Sequence, residues 1–282
     1  MIIPANPRYL SSRPDSAGCV WRLVGLPYDG AVSYRGGARF APTEIRLASD
    51  SIESYSPYQD RDLEDHPFCD LGDLDLGRRS PDQAVAAIRD HYAEQTRAGA
   101  KILALGGDHT VTVGVLQGLV QAGKQFTLLH LDAHLDLRPE YTGGIYSHAC
   151  IARRAVELLG PERVIQWGQR SGERSEFRWA REQGLYRGRD PERLMEILQD
   201  LRSQSVYLTL DLDVFDPAEM PGVGTPEPGG WRFSDFLAVL PEIQALDLAG
   251  MDVVELAPNL DPSGRSSVVA AEIVRELLLA AS

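Results

Sequence analysis

Between Phe126 and Asp136 the chain reads Phe-Thr-Leu-Leu-His-Leu-Asp-Ala-His-Leu-Asp. An apolar, β-prone run ends in Asp132, His134 and Asp136, three side chains able to hold a metal, at alternate positions. An extended backbone sends residues i, i+2 and i+4 to one face. Two carboxylates and an imidazole gathered there, with no basic neighbour inside the motif, would repel one another or take up protons once buried. A divalent cation resolves the conflict. The pattern returns at Asp211-Leu-Asp213, and His109 ends a Gly106-Gly-Asp-His motif.

His109, Asp132, His134, Asp136, Asp211 and Asp213 together offer two imidazoles and four carboxylates. One divalent ion cannot use all six and still offset the negative charge, whereas two ions match it. Oxygen-rich ligation with a few imidazoles suits Mn²⁺, and zinc, cobalt and iron also fit. Paired ions about 3.5 to 4 Å apart lower the pKa of a shared water from about 15.7 toward about 7.

Elements must carry these residues to one place. Trp21–Leu26, Phe68–Leu71, Lys101–Leu105, the run from Phe126, Arg163–Gly168, Ser205–Leu210 and Gly250–Val254 read as strands. Helices are expected over Thr43–Ser49, from Ser80-Pro81 to Arg97, Thr112–Gln121, from a Ser147 cap to Leu159, Ser175–Gln183, Pro191–Arg202, from a Ser234 cap to Leu246, and Ser266–Leu279. Short apolar strands alternating with helices predict an α/β fold, a mostly parallel sheet covered on both faces. The polar motifs all fall at carboxyl ends of strands, where open parallel sheets bind ligands. No linker or composition shift divides the chain, so residues 1–282 read as a single domain.

The net charge of −13 argues against a nucleic-acid or acidic-membrane binder. No apolar run approaches the roughly 18 to 20 residues needed to span a bilayer, and no signal peptide is evident. Cys19, Cys69 and Cys150 are odd in number and widely spaced, so neither a disulfide framework nor a cysteine zinc site is expected, and the compartment reads as a reduced cytoplasm.

Gly106-Gly-Asp-His109, Asp132-Ala-His134-Leu-Asp136, Asp211-Leu-Asp213-Val-Phe-Asp216-Pro217 and Gly224-Thr-Pro-Glu-Pro-Gly-Gly230, in this order, resemble the ureohydrolase family of arginases and agmatinases. The resemblance runs from Arg35 to Pro258. It implies a three-layer α/β/α, arginase-like fold, two Mn²⁺ per chain and a homo-oligomer, trimer or hexamer. It further implies one metal on His109, Asp132, Asp136 and Asp211 and the other on His134, Asp132, Asp211 and Asp213. A metal-bridging hydroxide, oriented by Asp136, would attack a guanidinium carbon held by Glu255, and His148 would shuttle protons.

The stretch from Asp136 through Arg138, Glu140 and Tyr141 to Ser147-His148-Ala149 resembles the prokaryotic agmatinases. Agmatine would then give putrescine and urea, with Glu173 the expected partner of its ammonium. Arg138 complicates this: facing the pocket it would favour an acid such as guanidinobutyrate, unless it pairs with Glu140. Aminopropylagmatine, arginine and formiminoglutamate are the other substrates to weigh. A single-zinc deacylase, or a family member that binds metal without catalysis, are the readings outside this class. His130 is expected to be a hydrogen-bonded core residue or a support for Asp132, Asp108 a cap, and His66 and His91 surface residues.

Overall fold

In Lys101-Ile-Leu-Ala-Leu105, Ile102 and Ala104 pack to one side of a sheet and Leu103 and Leu105 to the other, and all four are buried. Strands buried on both faces belong in a parallel sheet between helical layers. That is the architecture of the computed structural model, which describes residues 1–14, 18–32 and 34–281. The first half of the chain forms β1 (Ile2–Ile3), β2 (Trp21–Gly25), α1 (Ala41–Ser49), β3 (Tyr55–Ser56), β4 (Arg61–Asp62), β5 (Phe68–Leu74), α2 (Pro81–Arg97), β6 (Lys101–Leu105), α3 (Thr110–Gln121) and β7 (Thr127–Leu131). Then come α4 (Ile151–Leu159), β8 (Val164–Trp167), α5 (Arg174–Glu182), α6 (Pro191–Leu201), β9 (Ser205–Asp211), α7 (Phe233–Gln244), β10 (Asp247–Val254) and α8 (Arg265–Ala280).

The large sheet has the order β1-β5-β2-β6-β10-β9-β7-β8, parallel except where β1 joins β5. Helices α1, α6, α7 and α8 build the core on one face, and α2, α3, α4 and α5 build it on the other. The expected three-layer α/β/α fold is the observed one. Strands β6 and β7 are consecutive in the chain but lie apart, with β10 and β9 between them. Such a switch opens a crevice at the carboxyl edge. Helix α3 reaches that crevice by lying close on α2: a Cβ at Gly114 would sit 2.7 Å from the Val85 carbonyl oxygen, and one at Gly118 2.6 Å from that of Arg89.

Four expectations are corrected. Ser234 does not cap α7. The helix starts at Phe233, because the Asp235 carboxylate accepts the Arg232 N–H at 2.9 Å and so closes the end two residues early. Ser147 caps only a 3₁₀ turn, His148–Cys150, before α4 begins. Cys19 and Cys69 form a disulfide with Cα atoms 6.0 Å apart. Their 50-residue separation hid this; β2 and β5 are parallel neighbours with Arg22 opposite Cys69, so the sheet brings the pair together. Cys150 is free and buried. No helix among the described residues is long and apolar enough to cross a membrane. His66 and His91 are half-buried rather than fully exposed.

Candidate metal centre

The four adjacent strands β6, β10, β9 and β7 deliver their exits to one cluster. His109 follows β6, Glu255 follows β10, Asp211 ends β9 with Asp213 just beyond, and Asp132, His134 and Asp136 follow β7. At the β6 exit only glycine fits: a Cβ at Gly107 would meet the Tyr28 carbonyl oxygen at 1.8 Å. The Asp108 N–H donates to that same oxygen at 2.7 Å. Its carboxylate accepts from the N–H groups of Thr110 and Ala31 at 3.0 and 3.2 Å, the capping role expected of it.

Strand β7 stops at Leu131, so simple alternation does not carry the ligands to Asp136. The segment leaves the sheet, and Asp136 takes a φ of 51°. Glu255 does likewise at 68°. Left-handed backbone is unfavourable for side chains of this kind by about 1 kcal/mol or more, and such strain gathers at functional sites.

The Nδ1 atom of His109 lies 3.1 Å from Asp132 Oδ2, 3.1 Å from Asp211 Oδ2 and 3.5 Å from Asp136 Oδ2. The Nδ1 atom of His134 lies 2.8 Å from Asp213 Oδ2 and 3.6 Å from Asp132 Oδ1. Among the described residues two groupings are tight enough to hold an ion: His109, His130, Asp132 and Asp136, and Asp132, His134 and Asp213. Asp132 belongs to both. His109 Nδ1 is sealed from solvent and makes no hydrogen bond, although three carboxylates surround it. A cation between lone pairs is the arrangement that such a donor set fits.

Charge crowding points the same way. Burial, then the charge of Asp132, pushes the Asp136 carboxyl well above the usual range. Burial, then Asp213 and Asp132, does the same to Asp211. Burial opposes a charged imidazole at His109 and at His134, yet the adjoining carboxylates overcome it and raise both well above the ordinary value. Burial, followed by Asp108, pushes Glu255 up to about 8.

His130 donates from Nε2 to Asp132 at 2.7 Å and takes the Gln166 amide on Nδ1 at 3.0 Å. Both of its ring nitrogens thus serve protein hydrogen bonds, so it is a core histidine that also steadies Asp132. His148 faces the Ala31 carbonyl through Nδ1 at 2.9 Å. A carbonyl only accepts, so Nδ1 carries the proton and Nε2 the lone pair. Burial lowers the His148 pKa, which keeps the ring neutral near pH 7.

A cavity of about 340 Å³ joins these groups. Asp136, Asp211, Asp213, Glu176 and Glu255 are its buried carboxylates, and Arg138, Tyr141 and Glu173 also line it. Arg138 does not pair with Glu140. Its guanidinium lies 3.4 Å from Glu173 and 3.7 Å from Glu176 and stacks on Tyr141 at 4.5 Å. Glu176 escaped the sequence reading. It accepts the N–H groups of Leu137 and Glu173 at 3.0 and 2.8 Å, tying the loop after Asp136 to the start of α5. Its signal was the Glu173-x-x-Glu176 spacing of a capping box. Arg170 also escaped notice as a structural group. Its Nη2 donates to the carbonyls of Asp213 and Glu227 at 2.7 and 2.8 Å, fixing the loop that carries Thr225 beside Asp213.

Set beside known proteins, residues 20–280 match the arginase family. The chain is 39% identical to an agmatinase of Bacillus subtilis (strain 168) over 275 residues, 96% of this chain and 95% of that one. It is 37% identical to an N(1)-aminopropylagmatine ureohydrolase of Thermococcus kodakarensis, over 83% of this chain and 82% of that protein. The crystal structure of agmatine ureohydrolase of Thermoplasma volcanium superimposes with a TM-score of 0.87 at 30% identity, covering 97% of this chain and 94% of the other.

Proposed function

Since the chain belongs to the arginase family and is a ureohydrolase acting on a guanidino carbon–nitrogen bond, we propose that its substrate is agmatine, split to putrescine and urea. The observation that carries this reading is the charge on the cavity wall away from the metal ligands. There two carboxylates, Glu173 and Glu176, face one guanidinium, Arg138. The excess is negative and suits the ammonium tail of agmatine. Arg138 itself favours a second reading, a carboxylate-tailed substrate such as guanidinobutyrate.

His109, Asp132, His134, Asp136, Asp211 and Asp213 would hold a pair of divalent ions, taken as Mn²⁺ because the donors are mostly oxygen. When bound, such a pair supplies positive charge at the scissile group and an acidified water at neutral pH. Glu255 is proposed to bind the guanidinium; its carboxyl, pushed up to about 8 by burial and Asp108, ionises fully as a cation arrives. Asp136 orients the attacking water by accepting its proton in a hydrogen bond. His148, neutral with a lone pair on Nε2, takes up a proton and passes it to the leaving amine or to solvent.

The same proposal holds residues 1–282 to be one catalytic domain, assembled in trimers or hexamers. It places the protein in the cytoplasm, on the odd number and wide spacing of its cysteines. The Cys19–Cys69 bond weighs against that compartment, and thiol labelling in fresh lysate decides it. The central experiment is urea release from a panel of guanidino compounds by Mn²⁺-loaded protein. Agmatine is expected to give the highest kcat/KM. No urea from any of them defeats the reading, and a preference for guanidinobutyrate selects the second one.

A further inference from the structure

Behind the metal ligands lies a buried carboxylate that does not line the cavity and, among the described residues, forms no ion pair. Asp252 sits in the middle of β10, fully enclosed. Three hydroxyls converge on it: Thr209 at 2.5 Å, Tyr207 at 2.8 Å and Thr112 at 2.9 Å, from β9 and α3. Thr209 is its direct partner in the sheet register. A hydroxyl owns one proton, and that of Thr209 is committed to Asp252. Its oxygen remains an acceptor, and His109 Nε2 lies 2.8 Å from it. Only an N–H satisfies that contact.

We infer that Asp252, acting through Thr209, is a positioning residue that holds the His109 proton on Nε2 and so keeps the Nδ1 lone pair aimed at Asp132, Asp136 and Asp211. The inference rests on the two-metal reading. Groups that fix the tautomer of a metal-binding histidine typically change metal affinity by ten- to a hundredfold when removed. Two substitutions of nearly unchanged shape separate the linkage from mere packing. Thr209→Val deletes the acceptor for Nε2–H. Asp252→Asn keeps the volume but offers its own N–H to Thr209, which frees the threonine proton to turn toward Nε2 and drives the histidine proton to Nδ1.

The experiment is a Mn²⁺ titration of metal-free protein, followed by the free-ion electron paramagnetic resonance signal, with circular dichroism to verify folding. Wild type is expected to bind two equivalents. In Thr209→Val and Asp252→Asn one equivalent should weaken by roughly ten- to a hundredfold while the other is retained, and Thr209→Ser should restore wild-type binding. Two tight equivalents in both variants overturn the inference and leave the two-metal reading intact; wild type that binds no Mn²⁺ overturns both. Should the variants fail to fold, ring ¹⁵N shifts of the zinc-loaded wild type decide. Protonated Nε2 at His109 upholds the inference, and protonated Nδ1 overturns it.

Discussion

Replacing Arg138 by glutamine tests which charge governs the substrate tail. In the wild type its guanidinium lies 3.4 Å from Glu173 and 3.7 Å from Glu176, so one positive group answers two negative ones. Glutamine leaves both carboxylates unopposed. Glu173 is 57% exposed and Arg138 31%, so the medium lies between bulk water and protein interior. A unit charge about 6 Å from the tail is then worth roughly 1.1 kcal/mol at an effective dielectric constant of about 50. The KM for agmatine should fall by about sixfold and that for guanidinobutyrate rise by as much, moving the ratio of their kcat/KM values about fortyfold toward agmatine. The kcat for agmatine should hold, because Arg138 is placed with the tail and not with the reacting carbon. The assay is urea release from both substrates side by side, at low and high salt; screening should shrink the effect. An unchanged ratio, or a shift toward guanidinobutyrate, refutes the idea that this cluster reads the tail.

Stripping the metals with a chelator should cost about 5 kcal/mol, from two ions each present at about 100 times its Kd. That lowers Tm by on the order of 10 to 20 °C, measurable by calorimetry; a Tm indifferent to chelation contradicts the proposed ligands. Asp261 accepts hydrogen bonds from the N–H and hydroxyl groups of Ser263 and Ser266. Burial works against its charge, but these bonds prevail and bring its carboxyl down to about 2. A carboxyl depressed in this way stabilises the fold above its unfolded pKa of about 3.9, and the contribution is lost as pH falls through about 2. Asp261→Asn should therefore destabilise by about 1 to 2 kcal/mol at pH 7 and hardly at all at pH 2, as urea titrations at the two pH values will reveal. Cys19→Ser should lower stability to urea by about 2 to 4 kcal/mol, given the 50-residue loop its disulfide closes; equal midpoints with and without reductant would count against a stabilising role for that bond.

Much of the centre could be read before folding. Asp132, His134, Asp136, Asp211 and Asp213 announce themselves by spacing, and His109 by the glycines before it. The parallel sheet was legible in strands such as Lys101–Leu105, apolar on both faces. Glu255 is marked by its place at the exit of a predicted strand, though its role comes from the family resemblance, and His148 carries no local pattern and rests on that resemblance alone. Asp252 and Thr209 were passed over, though an aspartate inside the apolar run Gly250-Met-Asp-Val-Val254 is costly enough to deserve a question. The capping limits of α7 turned on Asp235 reaching back to Arg232, a choice among several plausible polar residues.

The amino-acid order by itself pointed to the side chains proposed to hold cations, because acids and imidazoles close in sequence must also be close in space. It also determined the alternation of strands and helices, through short-range periodicity. The tertiary structure decided everything that depends on which strands become neighbours. It joined β6, β10, β9 and β7 so that four distant exits share one crevice, and it set Cys19 beside Cys69. It turned Asp136 and Glu255 into left-handed conformations that alternation along a strand cannot produce. It also paired Arg138 with Glu173 and Glu176 instead of Glu140. Contacts between residues far apart in the chain arise only once the sheet order is set, and spacing along the sequence carries no record of that order.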